Sequence, residues 1–154
     1  MPSPVPTLKD AGSVEEALEL VSLRAVEMFH PRTFLCAETM VLVLGKTFGL
    51  DTASGSGPSL DSAVRLARGW SQGMGGAGCT CGALNGGIMA MGLVLDDDNP
   101  RRVRKRSKVL HDRFKDQYGT VCCRDLGKGR GLLSGGSVPF CKDLTGVCAA
   151  LAAG

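Results

Sequence analysis

Residues 69–92 read Gly-Trp-Ser-Gln-Gly-Met-Gly-Gly-Ala-Gly-Cys-Thr-Cys-Gly-Ala-Leu-Asn-Gly-Gly-Ile-Met-Ala-Met-Gly. A glycine-rich approach runs through Cys79 and Cys81 into an apolar segment, predicted helical from Gly82 to about Leu95. Gly82, Gly86 and Ala90 recur every fourth residue, which leaves a thin ridge along one helix face. Glycine within a helix costs about 1 kcal/mol against alanine, so close packing or a nearby cofactor has to offset it. The ridge could equally meet a second copy of the chain as a homodimer contact. Cys81 stands where this helix begins. Unpaired N–H groups and the helix dipole favour a thiolate there.

Outward from this stretch, helices are the natural expectation. The 154 residues are 44% hydrophobic and only 5% aromatic, so the core must come from Leu, Val, Ala and Met. Ser13 is expected to cap a helix that starts at Val14, with Glu16 at its third position, and His30-Pro31 ends it. Ala17, Leu18, Val21, Leu23, Ala25, Val26 and Phe29 form its apolar face. A second helix runs from Cys36 to Leu50, with a strand as the weaker alternative; Glu38 and Lys46 fit its wet face. Ser59 caps a third, from Leu60 to Trp70, whose inner face is Ala63, Leu66, Ala67 and Trp70. Asn99-Pro100 opens a charged helix over residues 100–118, stopped by Gly119. Residues 120–126 carry Cys122 and Cys123 on a short element. Residues 127–139 read as a loop, and Cys141 opens a last helix to Ala152. The expected fold is all-α: one helical bundle of five to seven helices over residues 13–154, behind a tail of residues 1–12.

The formal charge of +3 is too small to demand a polyanionic partner. No leader is legible at Met1–Asp10 and no apolar run approaches the ~20 residues of a membrane span, so a cytoplasmic protein is expected. Seven cysteines, an odd number, argue against a purely structural disulfide framework and for metal or thiol chemistry. Cys36, Cys81 and Cys141 each fall at an expected helix N-terminus, and Cys123 completes a set of four from separate parts of the chain. Thiolate ligation of an iron–sulfur cluster suits such a set. A dithiol/disulfide pair, or a sulfur carrier in which Cys81 attacks, is the competing reading; inert buried thiols in a helical interaction module are the third. Zinc sites normally use Cys-x-x-Cys knuckles, which are absent. Cys79, Cys122 and Cys148 are either incidental small side chains or spare ligands and resolving thiols.

These residues resemble the redox-active protein family named for four cysteines and a C-G-A-x-x-G motif, here Cys81-Gly82-Ala83-Leu84-Asn85-Gly86. The likeness runs over about residues 14–152. It includes Cys36-Ala37 after the helix that ends near Phe29, the Gly-x-x-x-Cys-Arg-x-Leu context of Gly119–Leu126, and Cys141. The resemblance implies a small helical protein assigned to redox work without a settled reaction, with Cys36, Cys81, Cys123 and Cys141 as the family's four cysteines. A related domain occurs in split-Soret cytochromes, beside haem and an iron–sulfur centre. This chain has no Cys-x-x-Cys-His, so covalent haem is not expected and only the iron–sulfur part of that likeness carries over.

Other features are weaker. The run Arg101-Arg102-Val103-Arg104-Lys105-Arg106-Ser107-Lys108 suits a solvated helix face, or docking of an acidic redox partner protein. No aromatics interleave with the basic run to stack on bases, so a nucleic-acid partner is not expected. His30 and His111 read as surface histidines; Trp70, Met74, Met89 and Met91 read as core. The Gly73–Gly78 loop could cradle an anion with its N–H groups, but it lacks the Gly-Lys-Ser/Thr ending of a nucleotide loop.

Overall fold

The computed structural model describes residues 11–50, 58–95, 99–129 and 138–154. Most of the expected tail, most of the 51–59 loop, the acidic run Asp96–Asp98 and most of the 127–139 loop lie outside the described residues. Six helices carry the fold: α1 (Val14–Met28), α2 (Cys36–Thr47), α3 (Leu60–Ala67), α4 (Gly82–Val94), α5 (Pro100–Tyr118) and α6 (Val138–Ala153). An isolated bridge between His30 and Phe34 is the one β pairing among the described residues. The all-α expectation therefore holds.

Local signals set most helix ends. Ser13 Oγ accepts from the Glu16 N–H, and Asn99 Oδ1 accepts from the Arg101 N–H ahead of Pro100. Gly119 closes α5 in the left-handed region at φ 74°. Two ends differ from expectation. The second helix stops at Thr47, and α6 starts at Val138, three residues before Cys141. Pro139 lies inside its first turn, where a missing N–H costs nothing.

α4 packs most extensively on α2, and the ridge explains how. A Cβ on Gly86 would lie 2.5 Å from the Ala37 carbonyl oxygen and 2.8 Å from the Ala37 Cα. At Gly86 the ridge is thus filled by α2 of the same chain. On its other side Gly87 faces Leu110 of α5 and Ala152 of α6. Met40, Leu44, Leu84, Leu110, Phe114, Leu144 and Cys148 form the main core, which α1 closes with Val21 and Ala25. Tyr118 links α5 to α6, 4.9 Å from Phe114 and 6.4 Å from Phe140 between ring centroids.

A second cluster joins α3 to α2 through Ala37, Val41, Ala63, Val64 and Ala67. Here the expected inner face of α3 is corrected. Leu66 is 69% exposed and Trp70 40%, while Val64 is buried. Close approach to α2 favours the small side chains Ala63 and Ala67, and the larger Leu66 is turned outward. Met74, expected in the core, is also exposed; Met91 is buried.

Glu38 is a further correction. It is not on a wet face but only 6% exposed. Its carboxylate accepts from the Leu35 N–H at the start of α2 (3.1 Å) and from Arg68 Nε (3.1 Å). One buried carboxylate thus satisfies a helix-end donor and ties α2 to the segment that leads to the cysteine-bearing loop.

Candidate functional site

The approach to Cys81 is built left-handed. After α3, a 3-10 turn over Arg68–Trp70 leads into a turn over Ser71–Met74, closed by the Gly75 N–H to the Ser71 carbonyl (3.0 Å). Every residue from Gln72 to Gly76 has positive φ. Gly73, Gly75 and Gly76 take this conformation without a Cβ penalty, but Gln72 (φ 59°) and Met74 (φ 56°) do not. Non-glycine residues held this way are strained by about 1–3 kcal/mol each and concentrate at functional sites.

That turn is aimed at Cys36, the first residue of α2. The N–H groups of Gln72, Ala37 and Cys36 itself, and the Ser71 hydroxyl, favour the charged form of its sulfur. Burial raises the Cys36 thiol above its ordinary range, and these donors pull in the opposite direction. Ser71 Oγ is buried and completes no hydrogen bond of full geometry. The N–H groups of the expected anion loop turn inward instead: those of Gly75, Ala77 and Gly78 donate to the carbonyls of Ser71, Met74 and Gly73.

Cys81 is the N-cap residue of α4 and is buried. Its own N–H donates to the Val121 carbonyl at 2.7 Å, which fixes it beside the Cys122-Cys123 segment. Burial first, then the neighbouring Cys36, drives its thiol far up; the Leu84 and Ala83 N–H groups of the first turn oppose this. Cys123 opens a single helical turn, Cys123–Leu126, and is also buried. Burial, then Cys36 and Cys141, pushes its thiol up to about 11. Cys36 thus lies within electrostatic reach of both Cys81 and Cys123, and Cys141 within that of Cys123.

Glycine makes this convergence possible. A Cβ on Gly82 would meet the Cys36 sulfur at 2.5 Å, and one on Gly73 would meet the Cys123 Cβ at 2.7 Å. Cys141 is half-buried in the first turns of α6 and not at its N-terminus, so the dipole argument does not extend to it. Among the described residues, no three His, Cys, Asp or Glu side chains are gathered closely enough to hold a single metal ion.

The remaining cysteines divide. Cys148 is fully buried in α6, its thiol driven up by burial and by Cys81 and Cys36. Cys79 and Cys122 lie at the surface with their sulfurs 2.8 Å apart. Both histidines stay away from the sulfur set. Nδ1 of His30 accepts from the Arg32 N–H at an exposed turn, and His111 pairs with Asp112. Sequence reading missed Ser71, Gln72 and the Cys79–Cys122 pair. Only the glycine density of the loop hinted at left-handed backbone there. No helix among the described residues is long and apolar enough to cross a membrane.

No curated protein and no solved structure matches the chain. A family model described as "Putative redox-active protein (C_GCAxxG_C_C)" matches residues 34–154. The match begins just before α2 and contains all seven cysteines, while α1 lies outside it. The family's motif is G-C-A-x-x-G and not the C-G-A-x-x-G expected from this sequence; the chain has Cys81-Gly82-Ala83-Leu84-Asn85-Gly86 in its place. In this fold a side chain at position 82 would press on the Cys36 sulfur and on the Trp70 and Ser71 backbone, and the cysteine of this chain stands one residue earlier. With the match running from the threshold of α2 to the last residue, the chain belongs to the C_GCAxxG_C_C redox-active protein family.

Proposed function

We propose that this chain is an electron-transfer protein that holds an iron–sulfur cluster on the thiolates of Cys36, Cys81, Cys123 and Cys141. The observation that carries the reading is the setting of Cys36: its sulfur lies against the start of α4, 2.5 Å from where a Cβ on Gly82 would stand, and the N–H groups of Gln72, Ala37 and Cys36 itself, with the Ser71 hydroxyl, favour its thiolate against burial. Such donors stabilise a thiolate far more than a neutral thiol. Without a cation the thiols disfavour one another's ionisation, and burial adds to the penalty. A bound iron cation would offset both effects. Four cysteine thiolates are the donor set that an iron–sulfur cluster takes, and Gly73 and Gly82 let the segments that carry three of them approach closely. In a cluster the thiolates would be distributed over more than one iron, so four ligands need not converge on one point.

When bound, the cluster would supply one-electron redox chemistry. The chain's own residues do the rest. Cys36, Cys81 and Cys123 anchor, the Gln72 and Ala37 N–H groups tune the sulfur they face, and the core under α4 keeps water from that side. The exposed basic face of α5, from Arg101 to Lys108, suits an acidic redox partner.

Anaerobic purification and reconstitution with iron and sulfide test this reading. A brown protein with visible charge-transfer absorption is expected, and Cys81→Ser should abolish it. A colourless, iron-free product with all thiols still titratable would overturn it. The second reading, a metal-free dithiol, draws on the absence of a single-ion ligand set among the described residues. It requires a Cys81-containing disulfide with a measurable potential, found by alkylation and mass mapping.

A further inference from the structure

The structure places two sulfurs together that the buried set does not use. Cys79 Sγ and Cys122 Sγ lie 2.8 Å apart, 43 residues apart in the chain, with Cys79 exposed and Cys122 half-buried. A disulfide bond is about 2.05 Å long, so bonding needs a shift of less than about 1 Å. The two segments are already registered by their backbones. Cys81 N–H donates to Val121 O (2.7 Å) on one side of the pair, and Arg124 N–H donates to Gly78 O (2.9 Å) on the other. Arg124 Nη2 adds a bond to Ala77 O at 2.8 Å. Thr120 Oγ1 accepts from the Cys122 N–H at 3.1 Å and fixes the residue that carries the second thiol. The pair is held in place by these four hydrogen bonds, not by chance proximity of flexible ends.

We infer that Cys79 and Cys122 form a second, solvent-facing redox site, a dithiol that exchanges with small-molecule disulfides independently of the buried cysteines. The more exposed Cys79 attacks first as its thiolate. A bond forms from Cys79 Sγ to one sulfur of the small disulfide, the disulfide bond of that molecule breaks, and one thiol departs. Cys122 Sγ then attacks the Cys79 sulfur, the mixed disulfide breaks, and the second thiol departs. The two cysteine protons end on the two released thiols. The protein gives up two electrons and the small disulfide gains two. The new bond ties the approach to Cys81 to the segment that carries Cys123, so it would hold the buried set in register while leaving it chemically untouched.

The experiment incubates the anaerobically reduced full chain with glutathione disulfide at graded ratios to glutathione, then alkylates and maps cysteines by mass. The expected first product is one intramolecular Cys79–Cys122 disulfide, reversed by dithiothreitol and accompanied by an upward shift in Tm. Cys122→Ser should instead trap a stable glutathione adduct on Cys79, because the resolving thiol is gone. A different first disulfide, separate glutathione adducts on both residues of the unsubstituted chain, or no reaction of either thiol at any ratio would overturn the inference. So would the absence of an adduct on Cys79 in the Cys122→Ser chain. The readout is cysteine pairing and not iron, so failure of the cluster reading leaves this result standing.

Discussion

Gly82 sits so close to Cys36 that a Cβ built on it would lie 2.5 Å from the Cys36 sulfur, 2.9 Å from the Trp70 carbonyl oxygen and 3.1 Å from the Ser71 Cα. The sulfur could swing aside, but the backbone of Trp70 and Ser71 cannot do so without moving the left-handed turn. Gly82→Ala should therefore destabilise the fold by about 1–3 kcal/mol, despite alanine's better helix propensity. It should also make Cys36 more accessible. A lowered urea midpoint together with faster alkylation of Cys36 is the expected result; an unchanged midpoint would show that the cradle is looser than its geometry.

Gly92 in the same helix supplies the control. A Cβ there meets nothing within 4 Å, and the residue is exposed. Gly92→Ala should stabilise by about 0.5–1 kcal/mol through helix propensity and unfolded-chain entropy. Gly86→Ala should behave like Gly82→Ala, since its Cβ would press on the Ala37 backbone. Opposite signs at positions 86 and 92 in one urea series check whether the ridge is a packing device.

The parts of this fold that the sequence makes legible are those fixed within a turn or two of chain. Ser13 over Glu16, Asn99 before Pro100 and Gly119 after Tyr118 are local events, and the bounds of α1 and α5 follow from them. Cys36 and Cys81 at helix starts are legible for the same reason. What depends on distant partners is not. Glu38 has the spacing of a solvated residue, yet Arg68, 30 positions away, and the Leu35 N–H draw it inward. Leu66 has the more apolar side chain, but α2 accepts only the small residues beside it. Cys79 and Cys122 look incidental until α4 and the Cys123 turn are docked.

Glu38 and Arg68 should respond unequally to substitution. The carboxylate is buried and serves two donors, whereas the Arg68 side chain is 59% exposed and keeps access to water. Glu38→Ala would strand the Leu35 N–H and remove the tie to Arg68, at a cost of about 1–2 kcal/mol. Arg68→Ala removes only a partly screened pair and should cost less than about 1 kcal/mol. Chemical denaturation of both variants at low and high salt distinguishes the cap from the pair. Salt should narrow the deficit of Arg68→Ala and leave most of that of Glu38→Ala.

Cys148 gives the fold a defined response to alkaline pH. Its thiol is fully buried, and burial first, then Cys81 and Cys36, drive its pKa well above the ordinary 9.0. In the unfolded chain the proton leaves near pH 9; in the folded chain it stays. Above that pH the folded state binds more protons than the unfolded state, so stability falls as pH rises. Each proton retained only in the folded state contributes a slope of about 1.4 kcal/mol per pH unit. Cys123, pushed up to about 11, acts in the same direction between pH 9 and 11, and Tyr118, pushed up to about 12, does so between pH 10 and 12. Full stability is therefore expected below pH 9 in the reduced, metal-free protein, with a steady decline above it in urea midpoints. Cys148→Ala should lower stability at pH 7 by about 1 kcal/mol through lost packing. Above pH 9 the same variant should lose stability less steeply, by the slope of one proton. An identical slope in the variant would place the retained protons on the other thiols and Tyr118, and would remove Cys148 from the alkaline response.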